Sequence, residues 1–208
     1  MNLRGVAPAG ADAGARREWT VGRFVVRTLA YLPAAFAVWY VAAPVLLYPV
    51  VLIVRGVAYA TMRPLVAGVE QSRAVVTFVT ALKPAAVTPG AVLAVDVNML
   101  LYAFGLPLFA ALTRAAHERN WARHLGVGCA VLLPLIAGCV LADFLKNVAI
   151  TAGPAVAAQT GFVAWQREAI AFAFQFGSLV LPAVAPAVLW VALHGRFVAA
   201  LRSRGARA

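Results

Sequence analysis

Residues Val95–Pro107 read V-D-V-N-M-L-L-Y-A-F-G-L-P, and this stretch decides the fold. Its first residues alternate between apolar and polar side chains, which is typical of a half-buried β-strand. The residues that follow form an apolar run, which is typical of a segment that enters a membrane. The polar residues Asp96, Asn98 and Tyr102 lie where the two patterns meet. The stretch therefore predicts an integral membrane protein with a small folded element outside the bilayer.

The composition of the whole chain is that of a membrane protein. Hydrophobic residues make up 63% of the 208 residues, charged residues make up only 12%, and the mean hydropathy is +0.87. A soluble domain carries about twice that share of charged residues. The net charge of +11 would suggest nucleic-acid binding in a soluble protein, but here the arginines flank apolar runs and indicate membrane orientation. We therefore expect a lipid bilayer around the protein and no nucleic-acid partner.

The apolar runs predict a mainly α-helical, integral membrane fold with four transmembrane helices. A run of about 20 apolar residues is needed to cross a bilayer. Residues 1–25 are rich in Ala, Gly and Arg without apolar periodicity, which predicts a flexible basic cytoplasmic tail. We treat residues 26–208 as a single membrane domain. Its predicted spans lie at about 26–54, 98–116, 125–150 and 169–193.

A small element of mixed structure is predicted between the first two spans, over about residues 55–97. Residues 55–70 are apolar but are interrupted by charged side chains, which favours an amphipathic helix at the membrane interface. Residues 74–82 and 91–97 are rich in β-branched residues, and the segment between them contains two prolines and a glycine. This pattern predicts a β-hairpin with a long loop. The hairpin is either a structural cap or an edge to which another strand docks.

The distribution of basic residues predicts which side of the membrane each segment faces. With the N-terminus in the cytoplasm, the segments on that side carry twelve arginines, and the opposite segments and helix ends carry six lysines and arginines. Basic residues are enriched on the cytoplasmic side of membrane proteins. Both termini are therefore predicted to be cytoplasmic, and the hairpin element is predicted to lie on the far side.

Seven polar residues near the predicted outer ends of the spans are candidates for a partner-binding or polar site. Asp143 and Lys146 are three residues apart on one helix face, and charged groups at membrane depth are usually paired or functional. If the last two spans are neighbours, Arg167 can reach Asp143 and Glu168 can reach Lys146. Asn98 is suited to cap the second span, because its side-chain oxygen can accept from free backbone N–H groups. The full set is Asp96, Asn98, Tyr102, Asp143, Lys146, Arg167 and Glu168.

The sequence contains no recognisable catalytic, cofactor-binding or metal-binding pattern. Cys129 and Cys139 lie inside one apolar segment and are expected to be buried small residues. A cysteine protease would need a histidine within hydrogen-bond distance of its thiol. The predicted topology allows only one such pair, Cys129 with His124. Motifs for zinc hydrolases, serine hydrolases and nucleotide-binding loops are missing, and so is metal-ligand spacing. We therefore predict a non-catalytic protein without a cofactor.

Five stretches of the sequence give it a resemblance to a known family. Two of them are specific, since neither is a generic membrane pattern: V-N-M-L-L-Y-A-F-G-L-P-L at 97–108, and the W-Q-R-E-A segment within 153–171. The other three stretches lie at 32–44, 66–71 and 176–190. In these stretches, which cover most of residues 30–195, the chain resembles the exosortase H-associated membrane proteins. These are small multi-span proteins encoded beside an exosortase in Gram-negative bacteria.

The resemblance implies a role beside a membrane transpeptidase that processes proteins with C-terminal sorting tails. It implies a location in the bacterial inner membrane, with the hairpin element in the periplasm, and it assigns no catalytic residues. Our hypothesis is an accessory protein that docks the exosortase or its substrate at the periplasmic face. The alternatives are a small permease or membrane enzyme with a polar site around Asp143 and Lys146, and a structural membrane protein without a client.

Overall fold

The computed structural model describes residues 21–83, 92–116, 120–195 and 197–199. These residues form a bundle of helices that carries one small β-sheet. In chain order the elements are α1 (Val21–Leu46), α2 (Tyr48–Thr61), β1 (Val66–Ser72), β2 (Val75–Thr80), β3 (Ala94–Asn98), α3 (Leu100–Ala103), α4 (Gly105–Ala115), α5 (Trp121–Lys146), α6 (Pro154–Gln159), α7 (Ala164–Gln175) and α8 (Leu181–Leu193). Two π-helical segments, Asn147–Thr151 and Phe176–Val180, extend α5 and join α7 to α8.

Three helical segments are long and apolar enough to cross a membrane: Val21–Leu46, Trp121–Thr151 and Ala164–Leu193. The prediction of a mainly helical membrane protein is therefore confirmed. The prediction of four full-length spans is not confirmed, because the helix found at the predicted second span, Leu100–Ala115, is shorter.

The helix at Leu100–Ala115 is short because the preceding strand uses the first residues of the predicted span at 98–116. Strand β3 extends to Asn98, and a turn at Phe104 then separates α3 from α4. At a rise of about 1.5 Å per residue, Leu100–Ala115 extends over roughly 24 Å, which is less than the hydrocarbon core of about 30 Å. Helix α4 nevertheless packs against α1, α5 and α8, so it lies among the longer helices.

The first predicted span, at 26–54, is two helices rather than one. Pro49 has no backbone N–H with which to continue the helical hydrogen bonds, and the helix is interrupted at Leu47. Beyond the break, α2 packs against α5 and buries Val50, Val51 and Val54 completely. The bundle therefore contains a buried apolar helix, α2, that directs the chain from the first span toward the sheet.

The sheet has three antiparallel strands in the order β1-β2-β3, one more strand than the predicted hairpin. The two predicted strands are observed as β2 and β3. The amphipathic helix predicted over 55–70 is wrong beyond Thr61, because Val66–Ser72 pairs along β2 instead. A short apolar run such as V-A-G-V-E-Q-S does not distinguish a helix from a strand by its periodicity, and the neighbouring strand settles the choice.

One face of the sheet is anchored on the helices. The inward-facing side chains of Val76, Phe78 and Val97 are fully buried. The ring of Phe78 stacks on that of Phe144 from α5, with 4.2 Å between the ring centroids. A stacked aromatic pair contributes about 0.5–1.5 kcal/mol beyond its buried area. The sheet is therefore held firmly at one end of the bundle.

The last two helical segments begin several residues earlier than predicted. Helix α5 begins at Trp121 rather than near residue 125, and the final helical segment begins at Ala164 rather than near 169. The side chain of Gln166 accepts a hydrogen bond from the backbone N–H of Val163 at 3.0 Å, which stabilises this earlier start. Two predictions, most of the tail (1–20) and the hairpin loop (84–91), lie outside the described residues.

Candidate functional site

The junction between β3 and α3 positions three of the candidate residues. Asn98 Oδ1 accepts a hydrogen bond from the backbone N–H of Leu100, the first residue of α3, at 3.0 Å, while Met99 holds the N-cap position itself. Asp96 is exposed on β3, and its Oδ1 accepts from the hydroxyl of Thr77 at 2.6 Å. Tyr102, one helical turn after Asn98, is buried, and its hydroxyl reaches helix α5.

Asn98→Ala is expected to destabilise this junction by about 1 kcal/mol, since it removes the acceptor for the Leu100 N–H. Asn98→Asp keeps an acceptor oxygen at the same place and is the matched control. Thermal unfolding of the purified protein in detergent measures both. Equal losses in the two variants would show that the hydrogen bond to Leu100 contributes nothing.

Asp143 is the centre of a group of four polar side chains that we call the Asp143 cluster. Two of its members are buried, Tyr102 and Asp143, and two are partly buried, Lys146 and Asn147. The hydroxyl of Tyr102 donates to Oδ2 of Asp143 at 2.8 Å and joins α3 to α5. Within α5 and its extension, Lys146 Nζ lies 3.3 Å from Oδ1 of Asp143, and Asn147 Nδ2 donates to that oxygen at 3.0 Å. A buried carboxylate is costly unless it is paired and hydrogen-bonded, and this one has three donors.

Asn147 is the member of the Asp143 cluster that the sequence analysis missed. Its amide donates to the backbone carbonyl of Asp143 at 2.9 Å as well as to the carboxylate. Asn147 lies four residues after Asp143, and this spacing places both on one helix face. The sequence spacing could therefore have identified Asn147 as a partner of Asp143. Asn147 also begins the first π-helical segment, and such segments occur frequently at functional sites.

Lys146 connects the Asp143 cluster to the final span. Its Nζ lies 4.5 Å from the centroid of the Phe174 ring on α7, within the range of a cation–π interaction. Closer to the centre of the bundle, the thiol of Cys139 donates to the carbonyl of Gly177 at 3.3 Å. Gly177 lies in the second π-helical segment. These contacts fix α5 against the final span, beside the point where α3 meets α5.

The length of α5 indicates the depth at which the Asp143 cluster would lie in a bilayer. Trp121, at the start of α5, is 22 residues before Asp143, and a helix of that length extends over roughly 33 Å. A hydrocarbon core is about 30 Å thick, and Trp is enriched at its boundaries. If Trp121 marks one boundary, Asp143 and Lys146 lie at the opposite one, on the side that carries the sheet.

Arg167 and Glu168 do not join the Asp143 cluster. Helices α5 and α7 pack against each other, as the pairing hypothesis required. However, Nε of Arg167 donates to the carbonyl of Phe162 at 3.1 Å, and Asp143 takes its ion-pair partner from its own helix. The predicted pairs Arg167–Asp143 and Glu168–Lys146 are therefore not formed within the described ranges. Both residues instead line a surface groove of about 450 Å³ beside Pro154 of α6.

The histidine considered as a base for Cys129 is engaged by another histidine. His124 Nδ1 lies 3.2 Å from His194 Nε2, at the end of the bundle opposite to the Asp143 cluster. Cys139 is buried among apolar side chains, as expected, whereas Cys129 is only partly buried. In the part of the chain that the structure describes, no group of three or more His, Cys, Asp or Glu side chains is placed to hold a metal ion. The arrangement at Asp143 is best suited to fixing three helices in place.

Comparison with known proteins assigns the chain to a family. No curated protein and no solved structure matched the chain. One family model, described as exosortase H-associated membrane protein, matches residues 18–197. The matched region contains the sheet, the Asp143 cluster and the three membrane-crossing segments. The chain therefore belongs to the family of exosortase H-associated membrane proteins.

Proposed function

We propose that the protein is a non-catalytic accessory subunit that docks an exosortase, or the sorted substrate of that enzyme, at the periplasmic face of the inner membrane. The observation that carries the proposal is an edge strand, β3, which packs on the helices and turns the backbone hydrogen-bonding groups of alternate residues away from the sheet. Membership of an exosortase-associated family supplies the class of partner. The edge of β3 supplies backbone groups to which that partner can bind.

The register of the sheet identifies the outward-facing groups. The backbone N–H of Thr80 donates to the carbonyl of Leu93, and that of Met99 donates to the carbonyl of Ala74. In an antiparallel pair the hydrogen-bonded positions alternate, so Val95 and Val97 bond to β2. The backbone N–H and C=O groups of the residues between them, including Asp96, therefore point away from β2. An extended peptide can add to such an edge as a further strand.

The opposite edge of the sheet, strand β1, is less suited to docking, because it is hydrogen-bonded to α1 and α2. Nη2 of Arg55 donates to the carbonyl of Val69 on β1 at 2.9 Å. Nε2 of Gln71 donates to the carbonyl of Pro44 at the end of α1 at 3.0 Å. An exposed edge strand is a liability unless it is blocked or used. The contrast between the two edges favours β3 as the functional one.

The orientation in this proposal rests on the basic residues. The cytoplasmic side then holds both termini and the start of α5, and the sheet and the Asp143 cluster lie on the periplasmic side. The chain would cross the membrane four times, with the short helix α4 as one crossing inside the bundle. The groove at Arg167 and Glu168 provides a charged surface at the same end as the sheet, since it includes residues of α6, and Gln159 of α6 bonds to the backbone of Lys83.

Asp96→Pro is expected to reduce recovery of the partner at least tenfold when the tagged protein is purified from native membranes in mild detergent. Proline removes the outward N–H at position 96 without removing a hydrogen bond to β2. Asp96→Ala loses the contact with Thr77 but keeps that N–H, so it is the matched control and should recover the partner normally. The amount of co-purified transpeptidase, determined by mass spectrometry, is the measurement.

Ala94→Pro tests the same edge at a second outward position. Val95→Pro breaks a hydrogen bond to β2 and shows how far disruption of the sheet itself lowers recovery of the partner. Normal recovery in both outward variants would refute edge docking. Recovery of the protein alone, under conditions that preserve other membrane complexes, would refute stable docking altogether. In that case a permease or membrane enzyme centred on Asp143 and Lys146 becomes the better hypothesis.

A further inference from the structure

The helices α1, α4 and α5 enclose a groove that the docking proposal does not use. It has a volume of about 770 Å³ and is lined mostly by apolar side chains, including Tyr31, Ala34, Ala110 and Leu125. Ligand pockets in proteins have volumes of about 300–1,000 Å³. The groove runs from the start of α5 toward the break between α1 and α2, and it lies within the membrane-crossing part of the bundle.

A buried hydroxyl in this groove has no partner among the residues that the structure describes. Thr113 lines the groove and is 1% exposed, yet its Oγ1 makes no hydrogen bond. Two other helical threonines, Thr28 and Thr61, bond to the carbonyl four residues earlier at 3.0 and 2.8 Å. Burying a hydroxyl without a partner is costly. The hydroxyl of Thr113 therefore lacks a partner that a polar group in the groove could supply, once the side chain turns toward the groove.

One end of the groove is suited to an anionic group at the membrane surface. Arg114 lines this end, and its guanidinium lies 4.7 Å from the centroid of the Trp121 ring. Arginine binds phosphate through several N–H donors at once. Trp121 is also the first residue of α5, so the free N–H groups of that helix end lie here, and such groups favour anions. Trp side chains are typical of the depth at which lipid headgroups lie.

The lining of the groove is suited to an extended hydrocarbon chain, because its walls are almost wholly apolar and its polar groups are few. Its apolar walls match an acyl chain, Thr113 matches an ester or glycerol oxygen, and Arg114 matches a phosphate.

We propose that this groove binds an anionic phospholipid from the leaflet on the side of the chain termini. One acyl chain lies between α1, α4 and α5, the hydroxyl of Thr113 bonds to the ester region, and the phosphate is held by Arg114 beside Trp121. The inference is independent of the docking function, since it concerns the other end of the bundle and needs no exosortase.

The test is native mass spectrometry of the full-length protein in detergent, titrated with phosphatidylglycerol or with phosphatidylcholine. Phosphatidylglycerol should bind more tightly to the wild-type protein, and Arg114→Gln should weaken its binding about fivefold, as expected for one basic residue at a membrane surface. Arg123→Gln changes another exposed arginine in the first turn of α5 and should bind as the wild-type protein does. Ala110→Leu narrows the groove and should reduce binding of both lipids.

Thr113→Val separates a ligand-binding role from a structural one. Because the hydroxyl is buried without a partner, valine should leave the lipid-free protein equally stable or more stable, while phosphatidylglycerol binds several-fold more weakly. Equal binding of both lipids to the wild-type protein, or unchanged binding in Arg114→Gln and Ala110→Leu, would overturn the proposal. A loss of self-association or of partner recovery in Ala110→Leu with unchanged lipid binding would also overturn it and would identify the groove as a helix-docking site.

Discussion

Gly105→Ala is expected to lower the free energy of unfolding of the bundle by about 1–3 kcal/mol, the range for overpacking a well-packed contact. A Cβ atom at this position would lie 2.5 Å from the carbonyl oxygen of Pro182 and 2.5 Å from Cγ of Pro186. The first contact is with backbone, which cannot rotate away. Helix α4 would therefore have to move away from α8.

The close approach at Gly105 follows from the two prolines of α8. Pro186 has no backbone N–H, so the carbonyl of Pro182 lacks its usual partner four residues later in the helix. Both prolines are buried, and Gly105 packs directly against them. Small residues let membrane helices approach closely. The stretch that predicts the membrane entry thus also contains the residue that sets the distance between α4 and α8.

Gly138→Ala is the matched control for Gly105→Ala. Gly138 lies inside α5, and a Cβ there would have no atom within 4 Å. Alanine favours a helix over glycine by about 1 kcal/mol, so this variant should be as stable as the wild-type protein or more stable. Thermal or denaturant unfolding in detergent compares the two variants. Equal midpoints would show that α4 and α8 are not in contact at Gly105 in the folded protein.

The elements that the sequence predicted well are those whose pattern is local. Strands β2 and β3 follow from β-branched residues, and the long helical segments follow from long apolar runs. Strand β1 did not follow, because V-A-G-V-E-Q-S has no distinctive period and becomes a strand only by pairing with β2. The break at Leu47 depends on one proline among three in the first predicted span, and composition alone does not say which of them interrupts the helix.

The sequence identified most residues of the candidate site, but it did not identify all the pairs that these residues form. Tyr102, Asp143 and Lys146 come together as one polar group between α3 and α5. Asp143 was expected to pair across to Arg167, but a lysine three residues away on the same helix is nearer and costs less conformational freedom to hold. Contacts that join distant elements, such as Tyr102 with Asp143, depend on how α3 packs on α5, and periodicity does not contain that information.

Asp143→Leu is expected to have the second large effect, a loss of about 3 kcal/mol in the free energy of unfolding. This is the low end of the range for removing one partner of a buried ion pair, because the Lys146 side chain is 23% exposed. Leucine leaves the ammonium of Lys146 without its counter-charge. It also removes the acceptor for the Tyr102 hydroxyl and for the Asn147 amide. Asp143→Asn keeps an acceptor oxygen and the side-chain shape, so it should lose less.

Combining Asp143→Leu with Lys146→Met should recover part of the stability lost in Asp143→Leu, since replacing both partners of a buried pair by apolar residues is often neutral. Unfolding of the single and double variants in detergent gives the coupling energy between the two charges. Additive losses would show that Asp143 and Lys146 do not interact energetically. The double variant also separates the two functional hypotheses, because an accessory protein needs only the fold that the pair supports. A stable double variant that still recovers the transpeptidase favours docking, whereas a stable double variant without biological function favours a permease or enzyme that needs the charges themselves.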